Sequence, residues 1–271
     1  KHVIRWEAVM AFFAALLITV NVICYGPMYT NVSGFLNASK ADLTEETIAQ
    51  SKDMIKRIGE EGTVLLKNNG LLPLSSDVNS LNVFGWDSTN PLFGGTGSGS
   101  SDASTAVGIL QSLQDAGYAT NETLTKLYTD YRDTRPTIAM SSQDWTLPEP
   151  TVDAYTDDIM TEAKEFSDTA VIVIGRSGGE GADLPMDMNA IIHSTYNPGL
   201  EVSVAPANWC YMNAYYTNNG SYDDFEPGES YLELSVTEEQ LVEKVCSEFD
   251  NVIVIINANN TMELGWVDEY E

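Results

Sequence analysis

The first apolar block runs from Ala8 to Tyr25, AVMAFFAALLITVNVICY, and only Thr19 and Asn21 in it are polar. A helix of that length rises about 27 Å, close to the ~30 Å hydrocarbon layer of a bilayer. Lys1 and Arg5 precede the block, Trp6 and Tyr25 flank it, and no basic residue follows until Lys40. The positive-inside bias then keeps the N-terminus in the cytoplasm and exports everything after Gly26. Two other readings stay open. One is a cleaved signal peptide, although Cys24-Tyr25-Gly26-Pro27 makes a poor small-x-small cleavage site. The other is a buried soluble helix. The expected organisation is an anchor over residues 1–27, a linker over 28–41 and one α/β domain over 42–271.

Past the linker the apolar pattern alternates between helix and strand periods. Asp42 is expected to open a helix with Glu45 as its capping partner, with Ile48, Ser51, Ile55 and Ile58 inward and Gly59 and Gly62 at its end. Thr63–Leu66 and Leu81–Gly85 read as strands separated by an Asn68-Asn69-Gly70 turn. A glycine-rich loop follows from Gly94 to Ser100, then a helix with Val107, Leu110 and Leu113 inward and Gly117 as its stop. The strongest strands are the continuous apolar runs Thr169–Gly175 and Val252–Ile256, the pattern of strands buried on both faces. Between them a helix is expected to be capped by Thr237 with Gln240, turning Leu241, Val242, Val245 and Phe249 inward. Strand, helix, strand implies a right-handed parallel crossover. The fold class is therefore α/β, a mostly parallel sheet sandwiched by helices.

Residues 186–233 break the pattern. This long excursion is rich in Asn, Asp, Gly and aromatic residues, among them Trp209, Tyr215, Tyr216 and Phe225. Loops of this length are usually functional or disordered. Its aromatic rings can stack on sugars or pack the loop onto its own domain.

Charge narrows the partners. The chain has 271 residues, with 13 Lys+Arg against 40 Asp+Glu, a net charge of −27. Such a surface repels nucleic acid and anionic lipid headgroups. Three cysteines (Cys24, Cys210, Cys246) form no CxxC pair, and two histidines are too few for a zinc cluster, so neither metal nor cofactor is expected. Cys210 and Cys246 are open to pairing as a disulfide or to remaining as buried thiols.

The candidate chemistry lies where the Thr169–Gly175 strand ends, in Arg176-Ser177-Gly178-Gly179-Glu180-Gly181-Ala182-Asp183. Ligands of doubly wound sheets gather at the carboxyl ends of strands. Glycines on both sides of Glu180 let the backbone carry its carboxylate outward, although a Glu in such a loop also reads as an ordinary solvated residue. The run Gly175–Asp183 resembles the S-G-E-G-x-D loop of family 3 glycoside hydrolases of the β-glucosidase type. Glu61–Leu74 is similar to the segment that opens that family's sandwich domain, and Gly94–Gly99 to its G-G-T-G-S-G loop. Val252–Ile256 followed by Met262–Trp266 is similar to its later strand and apolar turn. Four motifs in order cover residues 42–271.

The resemblance implies a retaining hydrolase of terminal β-linked sugars, acting on an oligosaccharide or β-glycoside. Glu180 is then the acid/base. Ser98, Arg176, Asp183 and Trp209 are substrate-binding candidates, with Arg176 and Asp183 also read as holding the Glu180 loop in shape. The family's nucleophile is an Asp-Trp at a strand end of its barrel. Asp144-Trp145 mimics it among crowding prolines and is read as a decoy. A barrel needs about 250 residues, and one is expected downstream of Glu271, in reversed domain order. The other function class is a non-catalytic carbohydrate-binding or structural module of the same fold. A nucleotide-binding domain is disfavoured, because Gly94–Gly99 lacks both the G-x-G-x-x-G spacing and a Walker lysine. Five N-x-S/T sites, at Asn31, Asn37, Asn121, Asn219 and Asn259, are acceptors where the source glycosylates exported proteins.

Overall fold

The computed structural model describes residues 2–26, 29–36, 43–100, 102–140, 142–193, 214–218 and 223–270. The chain divides into two compact units, Lys1–Lys67 and Asn68–Glu271.

In the first unit, α1 spans His2–Tyr25. The two polar residues of its apolar stretch are satisfied within the helix: Thr19 Oγ1 donates to Ala15 O at 2.9 Å and Asn21 Nδ2 to Leu17 O at 3.0 Å. Residues Val3–Tyr25 are long and apolar enough to cross a membrane. A second helix, α2 (Tyr29–Leu36), occupies part of the expected linker, because after Pro27 the segment holds no further proline and a single Gly34 is tolerated in a helix. α3 spans Glu45–Gly62 and is capped by Thr44, whose Oγ1 accepts from Thr47 N at 3.2 Å. The helix thus opens two residues later than expected, and Asp42 lies outside the described residues. Gly62 is the last residue of the helix, and Gly59 lies in its final turn, where its carbonyl accepts from Thr63 N at 3.0 Å. Its apolar face is not inward: Ile48, Ile55 and Ile58 are exposed. Thr63–Leu66 is not a strand: it pairs with no described strand, and Val64, Leu65 and Leu66 are exposed. Strand propensity alone makes no strand without a neighbour to share hydrogen bonds.

The second unit is built on a parallel sheet in the order β2-β1-β5-β7, with β1 Ser80–Phe84, β2 Ala119–Thr120, β5 Thr169–Arg176 and β7 Asn251–Ala258. The two long apolar runs pair with each other from Thr169↔Asn251 to Arg176↔Ala258. Successive residues of β5 point to opposite faces, as the strand period of two requires. Ile172 and Ile174 pack with Leu241, Val242 and Phe249 on one face, while Val171 and Val173 pack with Leu110 and Leu113 on the other. α4 (Ile109–Asp115) follows β1, and α5 (Glu122–Tyr131) and α6 (Asp157–Phe166) cover the first face with α8 (Val236–Glu248). Val107 precedes α4 and is exposed, unlike Leu110 and Leu113. β5 is almost fully buried, whereas β7, last in the sheet, is only half-buried. The α8 cap is Ser235 with Glu238 in a reciprocal capping box, not Thr237 with Gln240.

A small second sheet, β3-β4-β6, joins Ile138–Ala139, Ser142–Asp144 and Ala214–Tyr215. It ties the described part of the 186–233 excursion to the domain. α7 (Met188–Ile192), Tyr216, Phe225 and Tyr231 form a core around Trp145. These aromatic residues of the excursion therefore pack inward. Residues 194–213, with Trp209 and Cys210, lie outside the described residues.

Candidate active site on the carboxyl edge of the sheet

The sheet order reverses at one place. From β1 the chain goes outward to β2, then returns across β1 to β5. In doubly wound sheets such a switch point splays the two neighbouring strand-end loops and opens a crevice between them. Here those loops are residues 85–100 after β1 and residues 177–183 after β5.

The two loops are joined through Thr96. Its N–H donates to Gly178 O at 3.4 Å, its carbonyl accepts from Glu180 N at 3.4 Å, and its hydroxyl donates to Ile138 O. Asn260 Nδ2 donates to Ser177 O at 3.3 Å and Asn259 N to Arg176 O at 3.0 Å, which fixes the loop from the β7 side.

Glu180 is exposed, and both Ser98 N (2.7 Å) and Ser98 Oγ (2.6 Å) donate to its Oε2. Gly97 makes that approach feasible. Its φ of +77° is in the region where side chains are strained, and a Cβ there would meet Glu180 Oε2 at 2.6 Å. The Ser98 hydroxyl and then the Ser98 N–H hold the Glu180 carboxyl below its usual range. At neutral pH it is therefore a carboxylate in this chain. Ser98→Ala removes the larger of the two influences. The Glu180 pKa should rise toward an ordinary carboxylate in a side-chain NMR titration. Because a depressed carboxyl pKa stabilises the fold above its unfolded value and loses that contribution as pH falls through the folded one, the variant should also lose less stability than wild type on acidification. A downward or absent pKa shift would count against the Ser98–Glu180 contact.

Arg176 is 0 % exposed. Nη1 donates to Glu238 Oε1 at 2.7 Å, Nη2 pairs with Glu238 Oε2, and the remaining donors go to Tyr231 O (2.8 Å), Glu233 O (2.6 Å) and Gly175 O (2.8 Å). Burial disfavours its charge, but the Glu238 carboxylate more than offsets this and holds the guanidinium protonated. Its donors are thus turned into the protein and anchor the root of the Glu180 loop. Asp183 is exposed on the far limb of the same loop.

Asp144 and Trp145 are internal. The Asp144 carboxylate accepts from Thr146 N at 3.1 Å and lies 3.6 Å from Arg132 Nη2, and the Trp145 ring meets Tyr231 edge-on at 5.0 Å. A further carboxyl, Glu149, is buried under the β1 loop, where it accepts from Trp86 N (2.8 Å) and Tyr155 Oη (2.5 Å). Desolvation pushes its pKa up to about 8. The cavity beside it, about 20 Å³, holds roughly one water and no sugar. Among the described residues no His, Cys, Asp and Glu cluster is arranged to hold a metal ion.

Sequence reasoning did not single out Thr96, Gly97 or Glu238. The first two are inside the recognised glycine loop, where spacing does not say which residue makes the contact. Glu238 carried a signal of its own, Ser235-x-x-Glu238, the capping-box spacing.

A parallel sheet presenting a carboxylate at its switch point is the architecture of an α/β sandwich domain that offers its chemistry from strand-end loops. The chain belongs to the glycoside hydrolase family 3: the model of the glycosyl hydrolase family 3 C-terminal domain matches residues 63–271. The chain is 28 % identical over 218 residues to a β-glucosidase of Ruminococcus albus, covering 79 % of this chain and 18 % of that enzyme. Solved structures share its fold, among them two β-glucosidases. β-Glucosidase 3B from Thermotoga neapolitana, in complex with glucose, aligns with a TM-score of 0.57 at 24 % identity, covering 92 % of this chain and 29 % of that one. A β-glucosidase from Paenibacillus barengoltzii aligns with a TM-score of 0.53 at 24 % identity, covering 80 % of this chain and 19 % of that one. The chain thus spans less than a third of the length of each of these enzymes.

Proposed function

We propose that this domain supplies Glu180 as the general acid/base of a retaining β-glycosidase whose nucleophile comes from a barrel domain docked against the carboxyl edge of the sheet. The observation that carries the reading is the exposed Glu180 carboxylate, held at the switch point by Ser98 over the Gly97 backbone. Retaining glycosidases place two carboxyl groups about 5–5.5 Å apart, one attacking the anomeric carbon and one protonating the leaving oxygen. Alone, Glu180 has the pKa of a base. A second carboxylate brought that close, with water excluded, raises the pKa of one of the pair. Apposition of the barrel thus converts Glu180 into the acid that the first step needs. After the leaving group departs, the ionised Glu180 removes a proton from the water that releases the sugar.

Ser98 and Asp183 are proposed to contact the sugar from the two loops. Arg176 acts by positioning. The substrate class is a terminal β-linked sugar on an oligosaccharide or β-glycoside, and Trp209 remains a stacking candidate. Helix α1 is proposed as a single-pass anchor with the α/β domain outside the cell, supported by its apolar length and by Lys1 and Arg5 ahead of it.

The test is turnover of an aryl β-glucoside. The 271-residue chain alone should give none, since it carries one carboxylate of the pair, and a polypeptide joining it to a family barrel should give turnover. Comparable activity from the chain alone would overturn the two-domain reading.

A further inference from the structure

Beside the β1 loop there is a second concavity that the proposed chemistry does not use. Residues 88–93, the start of α4 and the outer side of α5 enclose an open groove of about 350 Å³, within the size range of small-molecule sites. Pro91, Phe93 and Leu110 form its apolar wall, and Asn90, Gln111 and Thr129 are among its polar groups. Among the described residues no charged side chain lines it, although the chain carries 40 Asp+Glu and 13 Lys+Arg. Among the described lining residues a phosphate or carboxylate ligand would find no cation, and an amine no carboxylate.

The polar groups offer both donors and acceptors, none of them charged. Thr129 Oγ1 spends its proton on Thr125 O (3.0 Å) and Lys126 O (3.2 Å), which leaves its lone pairs outward. Gln111 Nε2 donates to Asp115 Oδ1 at 2.7 Å, and the amide keeps a second N–H to donate and Oε1 to accept. Asn90 Nδ2 donates to Thr89 Oγ1 at 3.2 Å. Uncharged donors and acceptors beside Phe93, which is 40 % exposed, match an uncharged ligand that is rich in hydroxyls and has an apolar C–H face. The loop is also held in place, because Leu92 N donates to Asn257 Oδ1 at 2.6 Å, at the end of β7. Phe93 immediately precedes the glycine loop that carries Ser98.

We infer that this groove is a non-catalytic saccharide site, taking one neutral pyranose unit of a glycan next to the Glu180 loop. It rests on the proposed function only in assuming that glycans reach this face. The probe is cellobiose, titrated into the full chain in a sugar-free detergent and followed by calorimetry and saturation-transfer NMR. Saturable binding is expected for wild type and unchanged for Glu180→Gln. Phe93→Ala should weaken it by about tenfold or more, and Thr129→Val, which keeps the shape and removes the acceptor, by a smaller factor. Circular dichroism confirms that each variant is folded. No saturable binding to wild type, affinity untouched by either groove variant, or binding lost in Glu180→Gln would each overturn the inference. Loss of the groove signal while the barrel-joined polypeptide still hydrolyses aryl glucosides would leave the catalytic reading intact.

Discussion

Glu180→Ala, placed in a polypeptide that also carries the barrel, is expected to slow hydrolysis of alkyl and sugar β-glycosides by about 10²–10⁴-fold. Aryl glycosides with acidic leaving groups should be hurt far less in the first step, because their leaving oxygen departs without a proton. For them the slow step becomes release of the glycosyl–enzyme, since no base remains to activate water. Azide needs no proton removed. It should attack the anomeric carbon, displace the enzyme carboxylate and restore turnover as the glycosyl azide. The measurement is kcat across a leaving-group series with and without azide. Equal loss on all leaving groups, without rescue, would remove Glu180 from the acid/base role.

Arg176→Ala is expected to destabilise the domain by about 3–5 kcal/mol, because it strands the Glu238 carboxylate in the interior. Arg176 and Glu238 are 0 % and 6 % exposed at their side chains, so solvent does little to screen the pair. The same Glu238 also closes the α8 capping box by accepting from Ser235 N at 3.0 Å. The damage should therefore spread from the Glu180 loop to the start of α8. Arg176→Met with Glu238→Gln removes both charges and should recover part of the loss. Urea denaturation of the chain in detergent gives the comparison. A single variant as stable as wild type would mean that the pair contributes specificity but little stability.

The legible parts of the sequence were those where one residue pattern admits one structure. Two apolar runs rich in Val and Ile had to be strands, and they pair along their whole length, but only β5 is buried inside the sheet, while β7 is half-buried at its described edge. The glycine loop and the S-G-E-G run were legible because their spacing is tied to a backbone shape. Caps were misread at α3 and α8 because Thr44 and Ser235 compete with neighbours of equal propensity, and only the carbonyl and N–H geometry decides between them. The exposed face of α3 and the unpaired Thr63–Leu66 were not legible either. A helical period reports that a face is apolar, not what covers it. Ser98 was singled out in the sequence, but its bond to Glu180 joins loops more than eighty positions apart, and no local pattern carries that contact.

Strand β7 leaves one further mark on how the molecule behaves. Among the described residues its outer edge adjoins no other strand, and its core sequence is Val252-Ile253-Val254-Ile255-Ile256. A row of unsaturated amides along β-branched residues is a template for edge-to-edge growth. Copies of the chain carry −27 each and repel one another, which is a colloidal brake on that growth. Salt shortens the reach of the brake to about 8 Å at physiological ionic strength, so ionic strength sets how readily such edges find each other.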